Sequence, residues 1–360
     1  MRPALKPGLL PVWRDRDTLQ FGIDSRRAVA LTGMAGVAPV IGLLDGSRDR
    51  AQVIRAAADL GIPADIVERV LALLAAAGAL DDFPAGTLRV LPAPLRSRLA
   101  AELATASLAN GDGDGGARTL ARRLAAQVRV YGRGRIADGI SGLLTAAGVG
   151  RVLLDEDDDE GRDPARGAPT ADAEPATRPK PAARPKPATG PKPAARPKPA
   201  TGPGRSSGRR RATGPGPRPD LAILAGRHPL ARRAGLMRGQ IPHLAASAEE
   251  AIGVVGPLVI PGRTACLTCL DLTRADRDPA WPLILAQLDS RQPHPPACDA
   301  PLAAAVAAQA AAQALAFIDR DTPAGPVTDG TLELVLPGWQ WRRRTWPRHN
   351  SCSCGSYTYR

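Results

Sequence analysis

Four of the five cysteines stand in two close pairs whose spacing is typical of a metal site. Cys266-x-x-Cys269 follows an apolar segment ending in Pro-Gly, and Cys352-x-Cys354 lies near the C-terminus. Four thiolates suit tetrahedral Zn²⁺, and a metal that clips distant segments together adds folding free energy. Reduced free thiols, a redox pair, or His349 replacing one thiolate are the alternatives. The predicted structural zinc ligands are Cys266, Cys269, Cys352 and Cys354.

A second candidate site is the glycine turn within residues 128–155, which are predicted to form a strand, a turn, a helix and a second strand. Ala137 occupies the third glycine position of the dinucleotide-binding fingerprint. In that geometry helix N-terminal amides face a phosphate, and an acid after the second strand faces a ribose. The predicted nucleotide contacts are Gly132, Gly134, Arg135, Asp155 and Asp157.

The fifth cysteine, Cys298, precedes an alanine-rich segment, residues 300–318, that is predicted to be a buried helix. A lone cysteine in such a place is most often inert. A nearby cation or a helix N-terminus would lower its pKa and make it reactive. Cys298 is therefore the single candidate catalytic residue.

The net charge of +13 is concentrated in one segment. Residues 161–219 contain fourteen Lys or Arg and three Asp or Glu, so 14 − 3 = +11 belongs to this segment and +2 to the rest. Its composition is Pro, Ala, Lys, Arg, Gly and Thr, and ARPKPATGP at 183–191 recurs at 195–203. Such a sequence predicts a disordered insertion, and nucleic-acid binding by the folded parts is not expected. With no signal peptide or membrane span in the sequence, we expect a cytoplasmic protein.

Around the insertion, the chain is predicted to divide into three parts. Residues 1–83 form a small winged-helix-like α+β module, and 84–127 a connector with a helix over 95–108. Residues 128–160 and 220–360 form one Rossmann-like α/β domain, because short strands and helices alternate there. The predicted elements after the insertion are strands over 221–224, 241–245, 252–260, 331–336 and 338–346, and a helix over 230–238.

The N-terminal module is predicted to contain two strands and three short helices. The apolar face of its third helix is predicted to comprise Ile66, Val70, Leu73 and Leu74. The predicted strands are 18–23 and 27–31, and the helices are 37–44, 49–60 and 63–77.

Two resemblances give these parts a function. The segments LKPGLLPVWRDRDTLQFGID, LLDGSRD and VLALLAAAGALDD resemble PqqD-like elements that bind the leader peptides of ribosomal natural-product precursors. The resemblance implies that a peptide adds as a strand to the sheet edge, which we place at the first strand or its neighbour. A purely structural or dimerisation module and DNA binding are the alternatives. The later chain resembles ThiF-type adenylyltransferases, relatives of ubiquitin-activating enzymes: Cys266 and Cys269 match their first zinc pair, Cys298 a later cysteine, and Gln313-Ala314-Leu315 a small-residue helix. Together they are similar to the fused partner proteins of azole-forming, YcaO-type pathways.

The chain departs from the ThiF pattern in residues that ATP and Mg²⁺ need. The family's Asn-Leu-x-Arg-Gln stretch is not found, and Ala225-Gly226-Arg227-His228 stands where a magnesium-binding aspartate is expected. Lys6 is the only lysine outside the insertion. Arginines can partly replace these cations. These departures predict that the ThiF-type fold is kept while adenylation is weak or lost.

Three hypotheses remain open. The first is a scaffold that binds a precursor leader peptide and a YcaO-type or other modifying enzyme. The second is an active ATP-dependent adenylyltransferase, and the third is a regulator that binds DNA through the N-terminal module and the basic repeat. A homodimer is implied by the resemblance to adenylating enzymes alone.

Overall fold

The structure is a computed structural model that describes residues 1–83, 88, 91–155, 218–290, 297–320 and 325–356. The predicted disordered insertion, apart from its last two residues, lies outside the described residues, as does Asp157.

The N-terminal part contains two small antiparallel sheets and two α-helices. β1 (Pro3–Leu5) pairs with β5 (Leu80–Asp82), while β2, β3 and β4 form a three-stranded sheet in that order. The predicted pairing of the segments 18–23 and 27–31 is confirmed as β3–β4, but β3 is the central strand. The free edges are therefore β2 and β4. The bounds are β2 Pro11–Trp13, β3 Leu19–Phe21, β4 Val29–Leu31, α1 Arg50–Ala58 and α2 Ala64–Ala76.

Local sequence explains where these helices begin and which face they bury. Asp49 accepts from the Gln52 N–H at 2.8 Å while the Gln52 side chain accepts from the Asp49 N–H, which is a capping box. The segment 37–44 forms a 3₁₀ helix over Ala38–Leu43. The predicted face of α2 is wrong in part, because Leu73 is 54% exposed. The residues that α2 buries are Val67, Val70, Leu71 and Leu74.

Three helices lie in the described part of the connector, where one was predicted. They are α3 (Ala93–Arg98), α4 (Ala100–Asn110) and α5 (Ala117–Ala125). Arg123 on α5 pairs with Asp319 at 2.7 Å and with Glu102 at 3.3 Å. The connector is thereby joined to the α/β part of the chain.

The α/β part is built on a seven-stranded mixed sheet with the order β12-β11-β10-β9-β8-β6-β7. The strands β7, β6, β8 and β9 are parallel, and β10, β11 and β12 extend them antiparallel. This confirms the predicted mixed α/β class. The strands are β6 Gln127–Tyr131, β7 Arg151–Asp155, β8 Leu221–Ala225, β9 His243–Glu249, β10 Ile252–Val259, β11 Gly330–Val335 and β12 Gln340–Thr345.

Helices cover both faces of this sheet. α6 (Arg135–Ala146) and α10 (Ala300–Arg320) pack on one face over Val128 and Val130, whereas α7 (Leu230–Arg238) covers Tyr131 and Leu224 on the other. Two further helices, α8 (Leu267–Ala275) and α9 (Trp281–Ser290), were not predicted. Within the described chain, α10 alone has the length and composition to cross a membrane, but nine of its residues are buried in the fold. The prediction of a buried helix is therefore confirmed.

Candidate functional site

The four predicted metal ligands come together in space. Cys266 and Cys269 lie 3.8 Å apart, Cys266 and Cys352 3.6 Å, and Cys269 and Cys354 3.4 Å between sulfur atoms. All four sulfurs lie within 4.8 Å of one another. Tetrahedral zinc with bonds of about 2.3 Å requires sulfur separations of about 3.8 Å. The geometry and the donor set therefore fit zinc.

Hydrogen bonds among these thiols, together with burial, shift their pKa values. Cys266 donates to the Cys269 sulfur, which lowers the pKa of the Cys269 thiol to about 4 and raises that of Cys266. Burial raises the pKa of the Cys354 thiol to about 11. Because metal ligands are thiolates, zinc binding at neutral pH would release protons.

His349 lies outside the cluster, although it was considered as a replacement ligand. Its Nε2 lies 2.9 Å from Asp276 Oδ2, and its Nδ1 accepts from the Ser351 N–H at 3.1 Å. Both ring nitrogens are therefore engaged elsewhere. The four-sulfur set is the one that the geometry supports.

The cysteine cluster and the glycine turn lie at opposite ends of the sheet. Val259, at the end of β10, pairs with His243 at the start of β9, and the cysteine loop follows Val259. Gly132 follows the carboxyl end of β6, which is parallel to β9 through β8. The cluster also has a buried apolar surround that includes Trp346, which is 1% exposed. This placement favours a structural metal over a catalytic one.

The predicted glycine turn joins β6 to α6, and close packing explains one of its glycines. Gly132 has φ +124°, and a Cβ there would lie 2.2 Å from the Ala225 carbonyl oxygen. Gly134 has φ +82°, with nothing within 4 Å of a Cβ. Arg135 is the first residue of α6. The carboxyl ends of β6 and β8 meet here, where the strand order reverses, which is where open α/β sheets bind ligands.

The acidic residue at this edge is already paired. The Asp155 carboxylate lies 3.2 Å from Arg129 Nη2, with both side chains less than 15% exposed. Arg129 also stands 5.5 Å from the Tyr131 ring centroid. A ribose hydroxyl would have to compete with this ion pair for Asp155.

An arginine occupies the position where the resemblance implies a magnesium-binding aspartate. Arg227, just beyond β8, donates to both oxygens of Glu249 at 2.6–2.9 Å. Lys6, the sole lysine outside the insertion, is 3% exposed in the N-terminal part. It donates to Asp81 at 2.7 Å and to the Ser107 carbonyl at 2.9 Å. Its three donors are fully used there, since it also bonds Ser107 Oγ at 2.8 Å.

Cys298 lies just before α10, half-buried against the core. Burial, followed by the Asp299 charge, raises the pKa of its thiol, and Arg135 opposes this only in part. The structure therefore places a cation near Cys298 but does not activate the thiol. Its catalytic role stays a prediction.

A cleft of about 320 Å³ beside β4 was not predicted. Its walls are β4, the end of α2 and the end of α4, and Arg27 crosses it to donate to the Leu108 carbonyl. Four segments distant in sequence form it, so no local pattern predicts it. It also reaches beyond the predicted module boundary at residue 83. The lining residues are Lys6, Leu9, Arg26, Arg27, Ala28, Val29, Ala77, Gly78, Ser107, Leu108 and Gly111.

Within the part of the chain that the structure describes, the edge of β4 that faces away from β3 has main-chain groups with no hydrogen-bond partner. The Gly22 N–H donates to the Leu10 carbonyl, so the main chain of Gly22 and, two residues earlier, of Gln20 faces β2. Ala30 lies opposite Gln20 in register. The Ala30 N–H and carbonyl therefore point away from the sheet, where another strand can bond to them.

The fold and these sites define an α/β protein with a glycine turn at one end of a mixed sheet and a four-cysteine cluster at the other. A scan against protein-family models found no match, and neither did a search of curated protein sequences. Solved structures do share the fold.

One of them is E. coli MccB, solved with succinimide, which has a TM-score of 0.60 and 15% identity over 99% of this chain and 100% of its own. MccB has also been solved with ATP, and with AMPCPP and MccA. The heterocyclase TruD has a TM-score of 0.59 and 16% identity, and a heterocyclase in complex with substrate and cofactor has 0.62 and 15%. The alignments cover 98% of this chain but only 43% and 39% of those two chains.

Proposed function

We propose that this protein is a ThiF-like scaffold that binds a precursor leader peptide in the biosynthesis of a thiazole- or oxazole-type ribosomal peptide, with adenylation weak or lost. The observation that carries the proposal is the cleft beside the open β4 edge, in a chain whose fold matches MccB over its whole length. MccB solved with MccA, and a heterocyclase solved with substrate, support a binding role for the shared fold.

The peptide would add to the three-stranded sheet as a fourth strand. Ala30 offers one N–H and one carbonyl to it, and the cleft accepts side chains from one face of the added strand. The small residues Ala77, Gly78 and Gly111 leave room for them. The main-chain bonds would give affinity, and the cleft would give specificity.

Ala30→Pro tests this strand addition. Proline removes the outward N–H, and prolines are tolerated on edge strands when the lost donor faces solvent, so the fold should survive. A leader peptide encoded beside this gene should bind the full chain saturably in calorimetry. Loss of a main-chain bond should weaken binding by up to about tenfold in Ala30→Pro, but not in Ala30→Val, which keeps the N–H.

Thermal unfolding provides the control, because Ala30→Pro and Ala30→Val should unfold at similar temperatures. Absence of saturable binding to the unaltered chain would refute the leader-peptide role. Equal binding by Ala30→Pro would refute strand addition at β4.

Weak or lost adenylation is supported by three pairings. Asp155 is bonded to Arg129, Arg227 to Glu249, and Lys6 to Asp81. The acid expected to face the nucleotide is therefore engaged in an ion pair, an arginine stands in the stretch where a magnesium-binding aspartate is expected, and the one lysine outside the insertion is bonded in the N-terminal part. Zn²⁺ fits the cysteine cluster and would supply stability rather than chemistry. A cytoplasmic location, a homodimer and a YcaO-type or other modifying enzyme as partner complete the proposal.

The retained glycine turn favours one alternative, an active adenylyltransferase. ATP–pyrophosphate exchange with the neighbouring precursor peptide separates the two functions. Under the scaffold proposal, exchange stays at background in the unaltered chain and in Asp155→Ala. Robust exchange that is lost in Asp155→Ala would establish the enzyme instead.

A further inference from the structure

The last strand of the seven-stranded sheet, β12, is an open edge that the proposed leader-peptide site does not use. Within the described chain, no strand pairs with its outer side. Trp346 donates to the Asp329 carbonyl at 2.9 Å, and this bonded pair fixes the alternation along the β11–β12 ladder. Because bonded pairs recur at every second residue, the main chains of Arg344 and Arg342 also bond to β11. The main chains of Trp341, Arg343 and Thr345 face outward.

Charged side chains usually protect such edges from pairing. The side chain of Arg343, a residue whose main chain faces outward, instead folds back onto its own chain. The Arg343 guanidinium donates to the Pro326 carbonyl at 2.8 Å, the Thr328 carbonyl at 3.1 Å and Thr345 Oγ1 at 2.8 Å. Its side chain is therefore committed to the segment before β11, and the backbone edge stays accessible.

The other two arginines share one face of the strand. Arg344 stacks on Trp346, 4.2 Å from the ring centroid, and stands 4.0 Å from Glu333, the only acid in the β11–β12 hairpin. Arg342 is exposed and forms no hydrogen bond or ion pair with any residue in the described ranges. The opposite face carries Trp341, which is half-buried against the core.

We propose that β12 docks an acidic extended segment of a partner protein, which adds as an eighth strand with carboxylates at alternate positions beside Arg342 and Arg344. Opposite charges on cross-strand neighbours stabilise a pairing, whereas like charges destabilise it. The arginines therefore favour an acidic partner and disfavour a second copy of β12. Apolar side chains between the carboxylates would lie on the Trp341 face.

The strand β12 is held in place at its C-terminal end. Trp346, just beyond β12, is buried and donates to Thr331 Oγ1 at 2.9 Å. The chain then enters the cysteine cluster at Cys352 and Cys354. Such preorganisation lowers the entropy lost when a strand is added.

The partner would be the modifying enzyme that works with the proposed scaffold, so the biological role of this edge rests on the proposed function. The binding test of the edge itself does not depend on that function. The probe is a synthetic ten-residue peptide of alternating glutamate and valine, added to the full chain. Hydrogen–deuterium exchange of residues 340–345 should show saturable protection, because the outward amides of Trp341, Arg343 and Thr345 become bonded.

Matched probes and variants decide the outcome. A lysine–valine peptide should give no protection, and Arg342→Gln should weaken glutamate–valine binding by up to about fivefold, while Arg342→Lys should restore it. Equal protection by both peptides, or none by either, would overturn the proposal. Protection without peptide that grows with protein concentration would show a second copy as the occupant and would also overturn it.

The leader-peptide site has a separate readout. Ala30→Pro should leave protection at β12 unchanged. If the unaltered chain binds no leader peptide but shows β12 protection, only the proposed function is refuted. The reverse result would refute only the docking edge.

Discussion

At the residue scale, the side chain with the clearest thermodynamic consequence is His243 at the start of β9. It is 1% exposed, and its Nδ1 lies 2.9 Å from the Ile241 carbonyl oxygen. Burial lowers the pKa of His243 to about 4, against 6.5 for an ordinary histidine. The folded protein therefore holds a neutral imidazole at pH values where the unfolded chain binds a proton.

This difference predicts a loss of stability in acid. Above pH 6.5 the imidazole is neutral in both states and contributes nothing. As the pH falls from 6.5 to 4, the unfolded state gains the proton first, which lowers the free energy of unfolding by about 3 kcal/mol. Urea unfolding of His243→Gln, measured between pH 7 and 4, should lose about that much less than the unaltered chain. Identical pH profiles would contradict the assignment.

Cysteine chemistry was also predictable from residues alone. Two close pairs of thiols have few uses other than metal binding or disulfides, so the sequence indicated a zinc site, and the structure brings its four sulfurs together. Asp155 was less predictable. Its pairing with Arg129 depends on the register of two neighbouring strands, which no local pattern specifies.

At the element scale, prediction succeeded where a local signal was unambiguous. α7 has the predicted bounds Leu230–Arg238, and α1 begins at the capping box of Asp49 and Gln52. α8 begins with Leu267 directly after Cys266, and its mixed polar residues give only a weak apolar stripe. The predicted strand 241–245 starts two residues later, at His243.

The N-terminal sheet shows why edges are difficult to predict. β2 is only three residues long, and all three are exposed, so it lacks the alternation of a half-buried strand. Without it, β3 would be an edge. With it, β3 is central and β4 carries the open main chain beside the cleft. The site depends on strand order, which follows from tertiary packing.

At the scale of the whole molecule, distant segments are joined by a few polar contacts and by the cluster of four cysteines. Lys6 and Asp81 bond to Ser107, which fixes the N-terminal part to α4. Arg123 and Asp319 join the connector to α10. Ion pairs this buried cost much to break, because one partner is left charged and unpaired. The cleft beside β4 keeps its shape because α4 is bonded through Ser107 to the N-terminal part and through Glu102 to Arg123 of α5.

The cysteine cluster likewise joins two distant segments, since it brings Cys352 and Cys354 against Cys266 and Cys269 at the start of α8. If zinc occupies it, elemental analysis of the purified protein should show about one zinc per chain. Cys266→Ser should lose the metal and unfold at a lower temperature, since binding at such sites contributes directly to folding. Cys298→Ser is the matched control, because Cys298 lies outside the cluster, and it should keep both the metal and the unfolding temperature. Zinc retained by Cys266→Ser, or lost equally from Cys298→Ser, would show that the four sulfurs do not act as one site.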